Sequence, residues 1–107
     1  MWKTTIHAIG LEVDERLRAS IDRRVRGALG DIGAQVGLVH VRLYGDDGTG
    51  NHTCYIRVET VPSGGGVARG DSASDIKGAL ARAASRIGGA FEREIEVGRW
   101  PGRAAAS

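Results

Sequence analysis

Two stretches of the chain alternate apolar and polar residues with a period of two, and a turn-rich segment joins them. In GLVHVRLYG, Val39, Val41 and Leu43 fall on one side and His40, Arg42 and Tyr44 on the other; in HTCYIRVETV, Cys54, Ile56 and Val58 oppose Tyr55, Arg57 and Glu59. Successive side chains of a strand point to opposite faces, so each stretch reads as a half-buried strand, and GDDGTGN reads as the long loop of an antiparallel hairpin. Placing Val41 opposite Ile56 and Leu43 opposite Cys54 puts every apolar side chain on one face. A slip of one residue would send one strand's set to solvent, so the pattern fixes the register. The hairpin therefore has one face that must be covered and one that stays wet.

Two segments of helical period can supply the cover. In LEVDERLRASIDRRVRGALGDIG, Asp14 is placed to cap a helix whose Leu17, Ile21, Val25, Ala28 and Leu29 share one side, with Gly30 or Gly33 as its stop. In SDIKGALARAASRIGGAFERE, residues 74–94, Ser74 is the expected cap and Ile76, Leu80, Ala83, Ala84, Ile87 and Phe91 form the apolar stripe. A glycine inside a helix costs about 1 kcal/mol relative to alanine, so Gly88-Gly89 predicts a kink, or an end near Ile87. WKTTIHAI at the start suits a strand. After the turn or flexible loop PSGGG, VARG has room for only a short fourth strand.

The order is β-α-β-β-β-α, an α+β fold with two helices on one face of a mostly antiparallel four-stranded sheet. The 107 residues suit a single core, placed at 1–97, with 98–107 as a short C-terminal tail.

Several functions are disfavoured by what the chain contains. No run approaches the roughly 20 apolar residues that span a bilayer, and MWKTTIHAIG has no long apolar stretch before a cleavage site, so a cytoplasmic protein without membrane contact is expected. One cysteine cannot form an internal disulfide or a cysteine-based zinc knuckle. His7, His40, His52 and Cys54 are the only imidazole or thiol ligands; His52 and Cys54 share a strand face, but Cys54 belongs to the apolar side, so no metal site is assigned. There is no G-x-S-x-G, no P-loop and no nucleophile-base-orienter set, and the hydroxyls and acids of RGDSASD read as a helix cap. The expectation is a binder with no catalytic residue, cofactor or small-molecule substrate.

The arginines suggest what is bound. The net charge is only +2, but 13 of the 15 basic residues are arginine, so their placement matters more than their sum. On the first helix Arg16, Arg23 and Arg26 lie opposite the apolar stripe with Arg18 and Arg24 at its flanks; nearby acids make solvated i, i+4 pairing an equal reading there. On the second helix Arg82, Arg86 and Arg93 project within about 40° of one another at 100° per residue. Between them sit Gly78, Ala81, Ser85 and Gly89, small residues that leave clearance for a partner. Arginine forks match phosphate geometry, and lines of arginine separated by small residues suit a nucleic-acid backbone. Tyr44 and Tyr55 on the wet sheet face read first as a cross-strand pair rather than as stacking platforms. The second reading of the small-residue helix face is docking of another helix or a second copy of the chain, a protein-interaction domain with weak self-association.

In the second helix Asp75, Gly78, Ala79, Leu80, Ala83, Arg86 and Ile87 fall in the register of a pattern like D-x-Y-A-A-I-D-x-A-x-D-K-L, with Arg86 in place of lysine, Lys77 at the aromatic position, and Ala81 and Ser85 in place of acids. With the element order, this resembles the ribosome hibernation-promoting factor family, also called ribosome-associated inhibitors or ribosomal subunit interface proteins, over about residues 4–95. The resemblance implies a short-form member, without the second domain by which longer relatives pair ribosomes. It also implies binding to rRNA of the small ribosomal subunit near the decoding centre, where mRNA and tRNA are blocked sterically and idle ribosomes are held inactive under stress. The candidate RNA contacts are Arg16, Arg23, Arg24 and Arg26 on the first helix and Lys77, Arg82, Arg86 and Arg93 on the second.

Overall fold

The computed structural model describes residues 2–30, 36–60 and 65–96, with side chains through Arg93. The elements run β1 (Lys3–Ile9), α1 (Glu15–Leu29), β2 (Val36–Tyr44), β3 (His52–Thr60), β4 (Gly66–Ala73) and α2 (Ile76–Glu96). The four strands form one sheet in the order β1-β2-β3-β4. β1 lies parallel to β2, and the other two pairings are antiparallel. The residues expected to form a tail, 98–107, lie outside the described residues, as do Gly33 and most of PSGGG.

The hairpin register is the one the alternation demands, with Val41 opposite Ile56 and Leu43 opposite Cys54. Both helices cover that apolar face. Leu17, Ile21, Val25 and Leu29 of α1 meet Leu80, Ala83, Ala84, Ile87 and Phe91 of α2 over Val39, Val41, Leu43, Cys54, Ile56 and Val58 of the sheet, all of them buried. Each buried Leu, Ile, Val or Phe contributes about 1.5–3 kcal/mol of transfer free energy, so this layer is what holds the helices down. Among the described residues no helix is long and apolar enough to cross a membrane.

Three local expectations need correction. β4 is not the short VARG strand: it runs for eight residues and pairs along nearly all of β3. Gly66, Ala68, Gly70 and Ser72 have poor strand propensity, so this strand owes its length to the open edge of β3 and the cover of α2 rather than to local preference. Asp71 and Ser72 therefore belong to a strand, where the Ser72 and Thr53 hydroxyls lie 2.8 Å apart. The cap of α2 is Asp75 rather than Ser74, since the Asp75 carboxylate accepts the Gly78 N–H at 2.7 Å. The cap of α1 is Asp14, which accepts the Leu17 N–H at 2.8 Å.

Nor does α2 end near Ile87. Gly88 is where α1 crosses it: a Cβ at this position would lie 2.9 Å from the Ala28 carbonyl oxygen and 3.4 Å from the Ala28 Cβ. The glycine thus serves close helix packing, which offsets its propensity cost. Gly89, one residue on, faces open space.

Candidate nucleic-acid interface

The eight candidate RNA contacts do not form one face. Ser20, Arg23 and Arg24 of α1 and Lys77 and Leu80 of α2 line an open groove of about 420 Å³ between the helices. No carboxylate lines it. Arg16 continues the line toward the start of α2, in an adjoining cleft of about 430 Å³ that it shares with Lys77 and His52, but also with Glu12 and Asp14. Four cations from two helices are thus brought together along one seam, although Arg24 and Lys77 stand outside the stripes that helical periodicity singles out. Their partnership depends on how the helices cross, which no single-helix projection contains.

The remaining four lie elsewhere. Arg26 belongs to an i, i+4 pair with Asp22 at 3.1 Å. Arg82, Arg86 and Arg93 are exposed on the flank of α2 away from α1, roughly 140–180° around the helix axis from Lys77. That flank is not free of acid, because Asp71 of β4 approaches Arg86 at 3.8 Å. With Arg86 56% exposed, this pair contributes at most a few tenths of a kcal/mol to about 1 kcal/mol. Its effect on the local field is larger than on stability, since it offsets one charge of the three-arginine flank.

The small residues between those arginines have mixed reasons. At Gly78 a Cβ would meet the capping Asp75 carboxylate at 2.8 Å, so this glycine belongs to the turn that starts α2. Gly89 and Ser85 are exposed and provide real clearance.

The opposite side of the sheet holds a second polar surface. His40 bridges two neighbours: its Nδ1 lies 2.7 Å from the Thr5 hydroxyl and its Nε2 2.8 Å from the Glu59 carboxylate. The neutral tautomer that satisfies both donates from Nε2 to Glu59 and accepts the Thr5 hydroxyl at Nδ1. This aligned hydroxyl, imidazole and carboxylate joins β1, β2 and β3. It escapes sequence reading because its members are 35 and 19 residues apart. Tyr44 and Tyr55 meet edge to face, with ring centroids 6.1 Å apart and planes at 90°.

Cys54 is fully buried, and burial pushes its thiol pKa up to about 12. It is a core side chain held neutral, not a nucleophile or a metal ligand. Among the described residues no three His, Cys, Asp or Glu side chains come together as a metal site would need. In the hairpin loop, the Thr49 hydroxyl and backbone N–H both donate to Asp47 and hold its carboxyl below the ordinary value of 3.8.

The described residues define a small α+β domain with cation-lined helices on one side of a mixed sheet and an open strand face on the other. No protein-family model matches the sequence, and no curated protein matches it. Solved structures do. The N-terminal domain of Thermus thermophilus Protein Y superposes with a TM-score of 0.71 at 18% identity, covering 86% of this chain and 96% of that one. A ribosomal subunit interface protein from Coxiella burnetii superposes with a TM-score of 0.76 at 8% identity, covering 87% and 97%. The chain has their fold, the one the family resemblance implies.

Proposed function

We propose that the protein is a ribosome-associated translation inhibitor of the cytoplasm, acting as a binder rather than a catalyst. The observation that carries this reading is the interhelical groove, in which Arg23, Arg24 and Lys77 converge without a lining carboxylate. Phosphate contacts from two crossed helices fix an orientation on structured RNA without reading its sequence, which suits rRNA recognised by shape. The shared fold with a ribosomal subunit interface protein supports the same partner. The target is rRNA of the small subunit near the decoding centre, and the effect is steric exclusion of mRNA and tRNA from idle ribosomes. Arg16, Arg23, Arg24 and Lys77 make the central contacts. Arg82, Arg86 and Arg93 form an outlying flank, and Arg26 contributes least because Asp22 already engages it.

The test is co-sedimentation of the purified protein with vacant ribosomes and separated subunits at low and near-physiological salt. Stoichiometric binding to the small subunit is expected. An Arg24→Glu, Lys77→Glu double variant should lose it while keeping its fold by circular dichroism, and Arg26→Glu should change it least. Undiminished binding of the folded double variant would refute the groove as the interface.

A further inference from the structure

The sheet face turned away from the helices has a composition that its structural role does not require. It presents Lys3, Thr5, His7 and Ile9 from β1, His40, Arg42 and Tyr44 from β2, and Thr53, Tyr55, Arg57 and Glu59 from β3. Arg42 stands directly across from Tyr55, and His40 from Arg57. Glu59 is the one carboxylate on this face among the described residues, and His40 already engages it. Lys3, Arg42 and Arg57 are therefore exposed cations on a face with little negative charge of its own.

Tyr55 is 50% exposed, unusual for the largest side chain of its strand. One side of its ring rests on Gly70 of β4, where a Cβ would come within 2.3 Å of the ring. Tyr44 meets it edge to face. The ring is thus held by a glycine backbone and a second aromatic, and half of the residue's surface stays open to solvent. An open groove of about 640 Å³ runs over this spot, lined by His40, Arg42, Tyr44, Tyr55 and Arg57 among others. Half of the tyrosine is thus left exposed, with Arg42 across from it and Arg57 two residues on.

We propose that this face binds a single-stranded RNA segment, with a base stacked on Tyr55, a neighbouring base against Tyr44, and phosphates along Arg42 and Arg57. The chemistry follows from the parts. Every base has a π-face, so a pre-held aromatic stacks it without regard to sequence, and flanking arginines meet the backbone charge. A structured RNA helix would not use the exposed ring, because its bases are already stacked on one another. This surface lies on the opposite side of the sheet from the helix groove and does not rest on ribosome binding.

The experiment is fluorescence anisotropy with a labelled 12-mer oligouridylate, which has no structure of its own, at several salt concentrations. The wild-type protein should bind with salt-dependent affinity. Tyr55→Ser should weaken binding roughly 5- to 150-fold, and Tyr55→Phe should leave it nearly intact. Arg42→Gln with Arg57→Gln should make the log-log salt slope shallower by about 1.4. In the Arg24→Glu, Lys77→Glu variant the oligonucleotide should still shift the Tyr55 ring protons and Tyr55→Ser should still weaken binding by the same factor, which separates this surface from the helix side. Upfield shifts of the Tyr55 ring protons on adding oligouridylate supply a readout that needs no substitution. No binding at low salt would overturn the proposal. So would binding lost in the helix variant but kept in the sheet variants, or equal competition by polyglutamate, which would mean that only charge is read.

Discussion

Adjacent glycines in α2 should respond oppositely to the same change. In a helix interior, Gly→Ala ordinarily stabilises by about 0.8–1.0 kcal/mol. At Gly89 the new methyl meets nothing within 4 Å, so Gly89→Ala should realise most of that gain. At Gly88 the methyl would sit 2.9 Å from the Ala28 carbonyl oxygen and 3.4 Å from its Cβ. The obstacle is backbone of α1 rather than a flexible side-chain tip, so relief requires the helices to separate along a packed seam. Overpacking of this kind costs about 1–3 kcal/mol, which leaves Gly88→Ala between neutral and about 2 kcal/mol destabilised after the propensity gain. The two variants should differ by roughly 1–3 kcal/mol. At about 4–8 °C per kcal/mol for a domain near this size, thermal unfolding followed at 222 nm resolves the difference. Equal increases in Tm for both would refute the idea that Gly88 exists for the helix crossing.

The other predictions concern single groups. Asp75→Ala should cost about 1 kcal/mol in urea unfolding whereas Ser74→Ala costs only tenths, because Asp75 caps α2; a larger loss at Ser74 would return the cap to it. Cys54 should resist a thiol reagent at pH 8 until the protein unfolds. Its raised pKa makes stability fall as pH rises from the ordinary 9.0 toward about 12, since only the unfolded thiol ionises in that window; rapid labelling of the native protein would contradict its burial. The Asp47 carboxyl should titrate below 3.8 by NMR, and Thr49→Val should bring it back toward that value. The lowered value means that the loop's contribution is present above the ordinary pKa and is lost as pH falls through the folded one; an unmoved titration in the valine variant would exclude the hydroxyl as the cause.

The parts legible in the sequence are those where one local signal has one tertiary meaning. Alternation around Val41 and Ile56 fixes both pairing and the buried face, and the Leu17, Ile21, Val25, Leu29 stripe fixes the face of α1. β4 was harder because Gly70 and Ser72 say nothing about strands; only the waiting edge of β3 makes them one. Gly88 carries a breaker's signature, and its reason is Ala28, far away in sequence. The same limit applies to the candidate site. Projection of α2 groups Arg82, Arg86 and Arg93 correctly on one flank, but it cannot show that Lys77 looks toward α1 and meets Arg23 and Arg24 there, or that Asp71 reaches Arg86. Tyr55 illustrates the point from the other side, since its pairing with Tyr44 follows from the alternation while its seat on Gly70 needs β4 in place.

The parallel pairing of β1 with β2 has a consequence for how the chain acquires its shape. Thr5 finds its partner at His40, across the whole of α1, whereas β2, β3 and β4 follow one another antiparallel. The meander closes shorter loops and so can assemble with less chain entropy lost at each step. Of the four strands, β1 is therefore expected to join the sheet last, although it precedes β2 in the chain. Pulsed hydrogen exchange during refolding should find the amides of β2 and β3 protected before those of β1, with the Thr5, His40 and Glu59 chain closing across the seam as the final strand arrives.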